Sequence, residues 1–418
     1  MEKDKKPTIV FLTTTWTNVD KNVREGKAPG GVPSISRIWT TCLKHGWDVH
    51  VFIETRTEQG WPDDTVEMDG VHFHWIRPAF SRFTKWLSDR KLYGWFKIFW
   101  LISQIRMANR LRKSKVKPDI IYCMRSTFAV FGYCYAKLRK NKIVLREYGT
   151  FVYDAWFEGK SWRERLRTIG PLLLFKIPFD LFIMTNDGTQ GDKVAMRVGF
   201  NMERFWFPIN GVNKGLRLPG FNKTEFKEKI GIPGDDMMLM TLGRLTYWKR
   251  LDRIIGAMPD ILKEFPKAKL IIVGSGESKD ELERQVASLG LVESVKFVGA
   301  VTHEEIKYYL NTTDIFVMPN DVTNMCSTLI EALSAGCCVI TRDVGSTTEV
   351  VTNEKNAIVL DKHKSEAHDF ACAIIEMLKN PDKIERLKNA AACDAVNRFC
   401  TWDERMEKEF EKLTSLIG

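Results

Sequence analysis

Residues Leu239–Asp252 read LMTLGRLTYWKRLD, and this stretch decides the fold. An apolar run with strand character, Met237–Leu242, ends at Gly243. Arg244 and Lys249 follow on a short loop, and a helical pattern begins at Leu251. A strand that opens at its carboxyl end into a loop and a helix is where doubly wound α/β sheets bind ligands. Gly243 lets the backbone approach a ligand closely. A guanidinium fork and an ammonium, five residues apart, suit a diphosphate, Arg by bidentate contact and Lys as a point charge. Taken alone, the two cations fit an exposed basic loop equally well.

Outward from this stretch the second half alternates. Strand 237–242, helix 251–265 and strand Lys269–Val273 are followed by helix 279–289, strand 295–298 and a capping box at Thr302-x-x-Glu305. Strand Asp314–Met318, helix 326–335 and strand 338–341 complete the run. Such alternation means a parallel sheet with helices on both faces. Three segments end strands or open helices and are expected at one sheet edge: Gly243–Lys249, Gly274-Ser275-Gly276-Glu277, and Pro319–Glu331. Backbone N–H groups near Ser327 and Thr328 would receive phosphate oxygens. Glu331, one turn in, could accept bonds from a pair of ribose hydroxyls. A Glu there is also ordinary helix chemistry, the better reading were it isolated. The apolar-periodic stretch from Ile374 to the end is expected to be helical.

The first half opens with a buried strand at 8–15. Gly30-Gly31 precedes a helical pattern with Val32, Ile35, Trp39, Cys42 and Leu43 on one face, and DVHVFIE is the next strand. This is a βαβ unit with a glycine pair at the helix start, where N–H groups could receive an anion or a sugar hydroxyl. A tight turn without a ligand fits equally well, and the dinucleotide fingerprint is absent. EMDGVHFHWIRP reads as a strand pair about Asp69-Gly70. DIIYCM, KIVLREYG and LFIMTN look like further strands.

The chain has 418 residues, enough for two domains, with 44% hydrophobic and 28% charged content typical of globular proteins. MEKDKK and the short run after it lack a small-residue cleavage site, so no signal peptide is expected, nor any membrane span. The nine scattered cysteines argue for reduced thiols in a cytoplasm, without a zinc site. Residues 81–150 hold seventeen Lys/Arg against three Asp/Glu, a balance of 17 − 3 = +14 in a chain whose net charge is +10. That excess implies an anionic partner. Within it, residues 81–117 interleave aromatics with cations, as in a segment lying against anionic lipid. A domain helix with its apolar side in the core is the alternative. No nucleic-acid reading motif accompanies the charge, so no nucleic acid is expected.

In this order the motifs resemble those of the large retaining, nucleotide-sugar-dependent glycosyltransferases of the GT-B fold (glycosyl transferases group 1, family 4 type). GRLTYWK is similar to the family's G-R-L-x-x-x-K, and LIIVGSGE to its strand and GxG turn. NGVN is similar to the Asn-Gly-Val-Asp at its domain crossing, and LIEALSAGCCVITRDVGSTTEVV to its glutamate-bearing helix and the strand after it. GGVPSISRIWTTCLKHGWDVHVF is similar to its glycine-rich loop and helix. The resemblance implies two Rossmann-like α/β domains facing across a cleft: 1–210 on the acceptor side, 211–395 for the donor nucleotide, and 396–418 a helix returning to the first. Arg244 and Lys249 would be catalytic, neutralising the departing diphosphate. Gly243, Gly274, Gly276, Thr323, Asn324, Ser327, Thr328 and Glu331 would bind the donor, Glu331 at the ribose, with Gly30 and Gly31 at the phosphate or acceptor side. No metal and no permanent cofactor are implied. The donor would be a UDP- or GDP-linked sugar and the acceptor a sugar or lipid-linked precursor, at the cytoplasmic face of a membrane.

Two departures stand out. The family's Glu-(x)7-Glu has Thr323 in its first position, so the sugar contact would pass to Thr323, Asn324 or Asp321. A His common after the strand matching DIIYCM is absent; Tyr122, Met124 and Arg125 stand there. Retaining transfer in which the departing phosphate takes the acceptor proton would survive that loss. A nucleotide-sugar epimerase of the same fold and a non-catalytic binding protein are the rival readings.

Overall fold

The structure, a computed structural model, describes residues 6–14, 22–23, 33–55, 65–76, 96–159, 161–323 and 325–418. Expectations for Gly30, Gly31, Asn324 and residues 81–95 lie outside these. The chain forms two compact units. The first holds Met1–Thr185, Gly191–Pro208 and Trp402–Gly418; the second holds Asn186–Gln190 and Ile209–Thr401. The units divide after Pro208 and Thr401, whereas the sequence reading divided the chain after 210 and 395 and kept Asn186–Gln190 in the first domain.

The first unit is built on an eight-stranded sheet of β1 (Thr8–Thr14), β2 (Asp48–Glu54), β3 (Thr65–Met68), β4 (Val71–Ile76), β5 (Ile120–Met124), β6 (Lys142–Glu147), β7 (Leu181–Met184) and β8 (Phe205–Trp206). Their order is β3-β4-β2-β1-β5-β6-β7-β8. Only β3 runs antiparallel, paired to β4. Asp69 and Gly70 both have positive φ, 49° and 79°, as a two-residue hairpin turn requires.

The second unit holds β9 (Met237–Leu242), β10 (Ala268–Val273), β11 (Val295–Gly299), β12 (Ile315–Met318), β13 (Cys338–Arg342) and β14 (Ile358–Leu360). These are parallel, in the order β11-β10-β9-β12-β13-β14. Helices cover both faces, so the strands are apolar on both sides. Met238 and Met240 enter one core, while Leu239 between them enters the other. Helix Leu251–Glu264 buries Leu251, Ile254, Ile255, Met258 and Ile261, the face its apolar period anticipates. Chain order reverses on either side of β9, so the loops after β10, β9 and β12 are neighbours at the carboxyl edge.

Two local expectations change. The Glu305 carboxylate accepts from the Thr302 N–H (2.9 Å) and hydroxyl (2.7 Å), yet the helix begins only at Ile306, so the box closes a turn ahead of it. The apolar-periodic stretch from Ile374 is interrupted. Helices Ala367–Leu378 and Pro381–Arg398 meet at Asn380, where proline opens the second. Phe399–Thr401 then leave helical geometry before helix Trp402–Thr414.

In the basic, aromatic segment, helix Phe96–Ser114 buries Gln104, Met107 and Leu111 and exposes Trp100, Leu101 and Ile105. Among the described residues no helix is long and apolar enough to cross a membrane. All nine cysteines are free thiols.

Candidate functional site

The loops after β9 and β10 are laced together by their backbones. Gly243 N–H donates to the Val273 carbonyl, Leu245 N–H to the Ser275 carbonyl and Ser278 N–H to the Leu245 carbonyl, each at 3.0 Å. The approach is close enough to require glycine. A Cβ on Gly274 would stand 1.8 Å from the Gly243 carbonyl oxygen, and one on Gly276 would stand 2.2 Å from that of Leu245. Gly274 and Gly276 thus hold one loop against the other. Gly243 has φ 152° and open space where a side chain would be, which leaves its backbone accessible.

The basic residues of this edge divide into two groups. Arg250, Arg253 and Arg342 converge on Asp321, with Nη1–Oδ contacts of 3.1, 2.6 and 2.6 Å. Arg250 also grips Asp252, and Arg253 also grips Glu366. Although burial works to raise it, the three guanidiniums hold the Asp321 carboxyl below its ordinary range. Asp321 N–H donates to the Trp248 carbonyl at 3.0 Å, tying the loop after β12 to the one after β9. Asp321, a sugar-contact candidate by sequence, is instead the anchor of an arginine cluster. Arg244 and Lys249 stand outside it. Arg244 is exposed, with one long contact to Glu277 at 3.4 Å. Lys249 sits over the Trp248 ring, 4.3 Å from its centroid, and has no carboxylate partner among the described residues.

Helix Ser327–Ala335 starts beside these loops. Ser327 Oγ accepts from Asn210 Nδ2 at 3.2 Å, and Thr328 Oγ1 lies 2.9 Å from Cys326 Sγ. Glu331 is 4% exposed and has no hydrogen-bond or ionic partner among the described residues. Burial pushes its carboxyl up to about 7. A buried carboxyl without a partner is costly to ionise, which is why its proton is held so firmly. Thr323 differs. Its hydroxyl donates to the Asp187 carbonyl (2.8 Å) and accepts from Met325 N–H (3.0 Å), so its one proton serves the protein itself.

The first unit has a cavity that the sequence reading missed. A cavity of about 370 Å³ opens where β5, β6 and β7 end, lined by Arg125, Ser126, Glu147, Thr150, Phe151 and Arg167 among others. Arg125 holds φ 77°, a conformation costly for a non-glycine residue and one that recurs at ligand sites. Burial pushes Glu147 up to about 7, and its Oε1 lacks a hydrogen-bond partner. The available signal was a pair of charges, Arg146-Glu147, closing the apolar run Ile143–Leu145. Tyr122, at the place of the absent histidine, points into the core and donates to Glu409. It offers no base to a substrate.

Residues 222–393 match the family model of the glycosyl transferases group 1. Among curated proteins the chain is similar to an uncharacterized glycosyltransferase of Methanocaldococcus jannaschii, 31% identical over 197 residues, which is 46% of this chain and 50% of that one. It is also similar to the alpha-monoglucosyldiacylglycerol synthase of Streptococcus pneumoniae, 28% identical over 181 residues, 41% of this chain and 40% of the relative. The chain thus spans about half or less of the length of these two relatives. Among solved structures, that of Anabaena HepE in complex with UDP superposes over 98% of this chain and 100% of its own, with TM-score 0.69 and 17% identity. That likeness extends over both units and concerns the fold. The chain has the GT-B fold, and its residues 222–393 are similar to the group 1 glycosyl transferases.

Proposed function

We propose that this chain transfers a sugar, with retention of configuration, from a UDP- or GDP-linked donor held by the second unit to an acceptor bound by the first. The pairing pattern at the second sheet's edge carries the reading: three arginines are neutralised by Asp321, Asp252 and Glu366, while Lys249 has no carboxylate partner among the described residues and the exposed Arg244 has only the 3.4 Å contact to Glu277. Glu331 supplies the complementary acceptor for ribose hydroxyls, and the start of helix Ser327–Ala335 supplies N–H groups for phosphate oxygens. The bond from the anomeric carbon to the diphosphate oxygen breaks and that carbon bonds to the acceptor oxygen. Negative charge develops on the departing diphosphate, where Arg244 and Lys249 act, and the same phosphate takes the acceptor proton. This route requires no side-chain base at Tyr122.

Two features support an acceptor at a membrane surface. The cavity near Arg125 and Arg167 joins cations to an apolar wall that includes Leu174, Phe175 and Phe182. Helix Trp162–Leu174 exposes Trp162, Leu166, Ile169 and Leu173, spaced along one stripe beside Arg163. The pneumococcal relative is by name a glucosyldiacylglycerol synthase, consistent with a lipid acceptor. Replacing Lys249 by Met tests the mechanism. Turnover with a nucleotide-sugar donor is expected to fall by about 10²–10³ with folding unchanged. Undiminished turnover, or donor consumption that ignores added acceptor, would refute transfer by this route.

A further inference from the structure

Three of the chain's seven histidines meet on two neighbouring strands of the first unit, away from every residue assigned above. Asp48 and His50 are two apart on β2 and therefore share one face, and His72 of β4 is the register partner of His50. Asp48 Oδ2 lies 3.1 Å from His50 Nε2, and Asp48 Oδ1 lies 3.6 Å from His72 Nε2. One ligand atom from each residue lies within 4.8 Å of the other two. Around a tetrahedral ion with bonds of about 2.0–2.1 Å, neighbouring ligand atoms stand about 3.3 Å apart. The spacing already approaches that geometry.

The surroundings complete it. A metal-bound histidine ordinarily donates its second ring N–H to an acceptor, which fixes ring and tautomer. His50 Nδ1 lies 2.9 Å from His74 Nε2, and His74 Nδ1 lies 3.0 Å from Thr65 Oγ1. This chain lets His50 carry its proton at Nδ1 and present a bare Nε2. His72 Nδ1 faces Glu67 Oε2 at 3.8 Å, the carboxylate–histidine arrangement repeated on the second ligand. The His74 ring also stacks on Phe52 at 4.1 Å, so the support is rigid.

We propose that Asp48, His50 and His72 form a site for one divalent transition-metal ion of the zinc type, bound through two imidazoles and one carboxylate with the fourth position left to water or an exogenous ligand. Two nitrogens and one oxygen select such an ion over magnesium or calcium, which prefer oxygen. The three ligands stand at the amino ends of β2 and β4, whereas the cavity described above lies at the carboxyl ends of β5–β7. The site is therefore separate from transfer chemistry. Its effect is to clamp the β3–β4 hairpin to β2 at the sheet edge.

The test uses the full-length, tag-free chain stripped with a chelator and titrated with Co²⁺ as a spectroscopic stand-in for Zn²⁺. The expected result is one equivalent bound per chain, with visible absorption bands of a low-coordinate site that Zn²⁺ abolishes, and a higher melting temperature with either ion. Asp48→Asn and His72→Gln are expected to lose the bands while keeping the metal-free melting temperature, both side chains being about a third exposed. Glu67→Gln, acting through His72, is expected to weaken binding about tenfold. His303→Gln, in the second unit, is the control and should keep the bands. No saturable binding by the wild type, or binding that Asp48→Asn and His72→Gln leave unchanged, would overturn the proposal.

Discussion

Glu409, on the last helix, and Arg146, on β6, form an ion pair of 2.9 Å with both side chains fully buried. Arg405 reaches the same carboxylate at 2.8 Å and lays its guanidinium over the Trp206 ring, 4.1 Å from the centroid. Tyr122 also donates to Glu409, so the final helix is pinned to the middle of the first sheet by charge as well as by Trp402, Met406 and Leu413. Removing one partner of a buried pair strands the others. Glu409→Ala is expected to cost about 3–5 kcal/mol, read as a lower urea midpoint. Burial alone would raise the Glu409 carboxyl, but Arg146 and Arg405 hold it below the ordinary value. Its contribution is therefore complete above the unfolded value of 4.5 and is lost as pH falls through the lower folded one. A melting-temperature series in acid should show a shallower decline for Glu409→Gln than for the wild type. Equal slopes would remove this carboxylate from acid unfolding.

For Glu331 the sign reverses. Burial raises the folded carboxyl to about 7 from 4.5, so the unliganded chain loses stability as pH rises between these values, by about 3 kcal/mol. A ribose that bonds to the carboxylate needs the ionised form. Nucleoside diphosphate affinity should therefore increase by roughly tenfold from about pH 6 to about pH 8 beyond any change seen in Glu331→Gln. Parallel pH profiles for the two proteins, measured by calorimetry, would take Glu331 out of the nucleotide site.

Gly274→Ala is expected to be severe, because its Cβ would meet the Gly243 carbonyl oxygen at 1.8 Å where φ is 136°. A loss of about 3–5 kcal/mol is expected, together with loss of nucleotide binding, since the loops cannot keep their spacing. Gly290→Ala makes the contrast. Its φ of 69° is also left-handed, but open space surrounds the position, so about 1–2 kcal/mol is the whole expected cost. Comparable denaturant midpoints for the two variants would show that the loop contact does not limit stability.

The exposed stripe of helix Trp162–Leu174 should govern attachment to vesicles. Replacing Leu166 and Ile169 by Ser removes two exposed apolar side chains and leaves the buried Leu174 in place. Sedimentation with anionic vesicles is expected to drop several-fold while nucleotide binding persists. Wild-type binding should weaken with salt, because exposed charges more than about 10 Å apart are screened near 0.1 M. Recovery equal to the wild type would assign the stripe no part in membrane attachment.

The order of elements in the second unit is written locally. Apolar runs such as Met237–Leu242 and Lys269–Val273 end at glycine and are followed by helical periods, and that alternation is enough to specify a parallel sheet. Neighbouring charges were not legible in the same way. Arg244, Lys249, Arg250 and Arg253 look alike in one basic run, but Asp321, 68 residues beyond Arg253, neutralises the last two and leaves the first two outside its cluster. Ion pairing depends on which loops share a sheet edge, and that is decided by strand order. The same holds for Tyr122, whose hydroxyl meets Glu409 287 residues later, and for His50 and His72, which become neighbours only through the β2–β4 register. Local pattern determined which segments became strands and helices; only the tertiary structure decided which polar groups found partners within the protein, because pairing over such separations exists only once the sheets have formed.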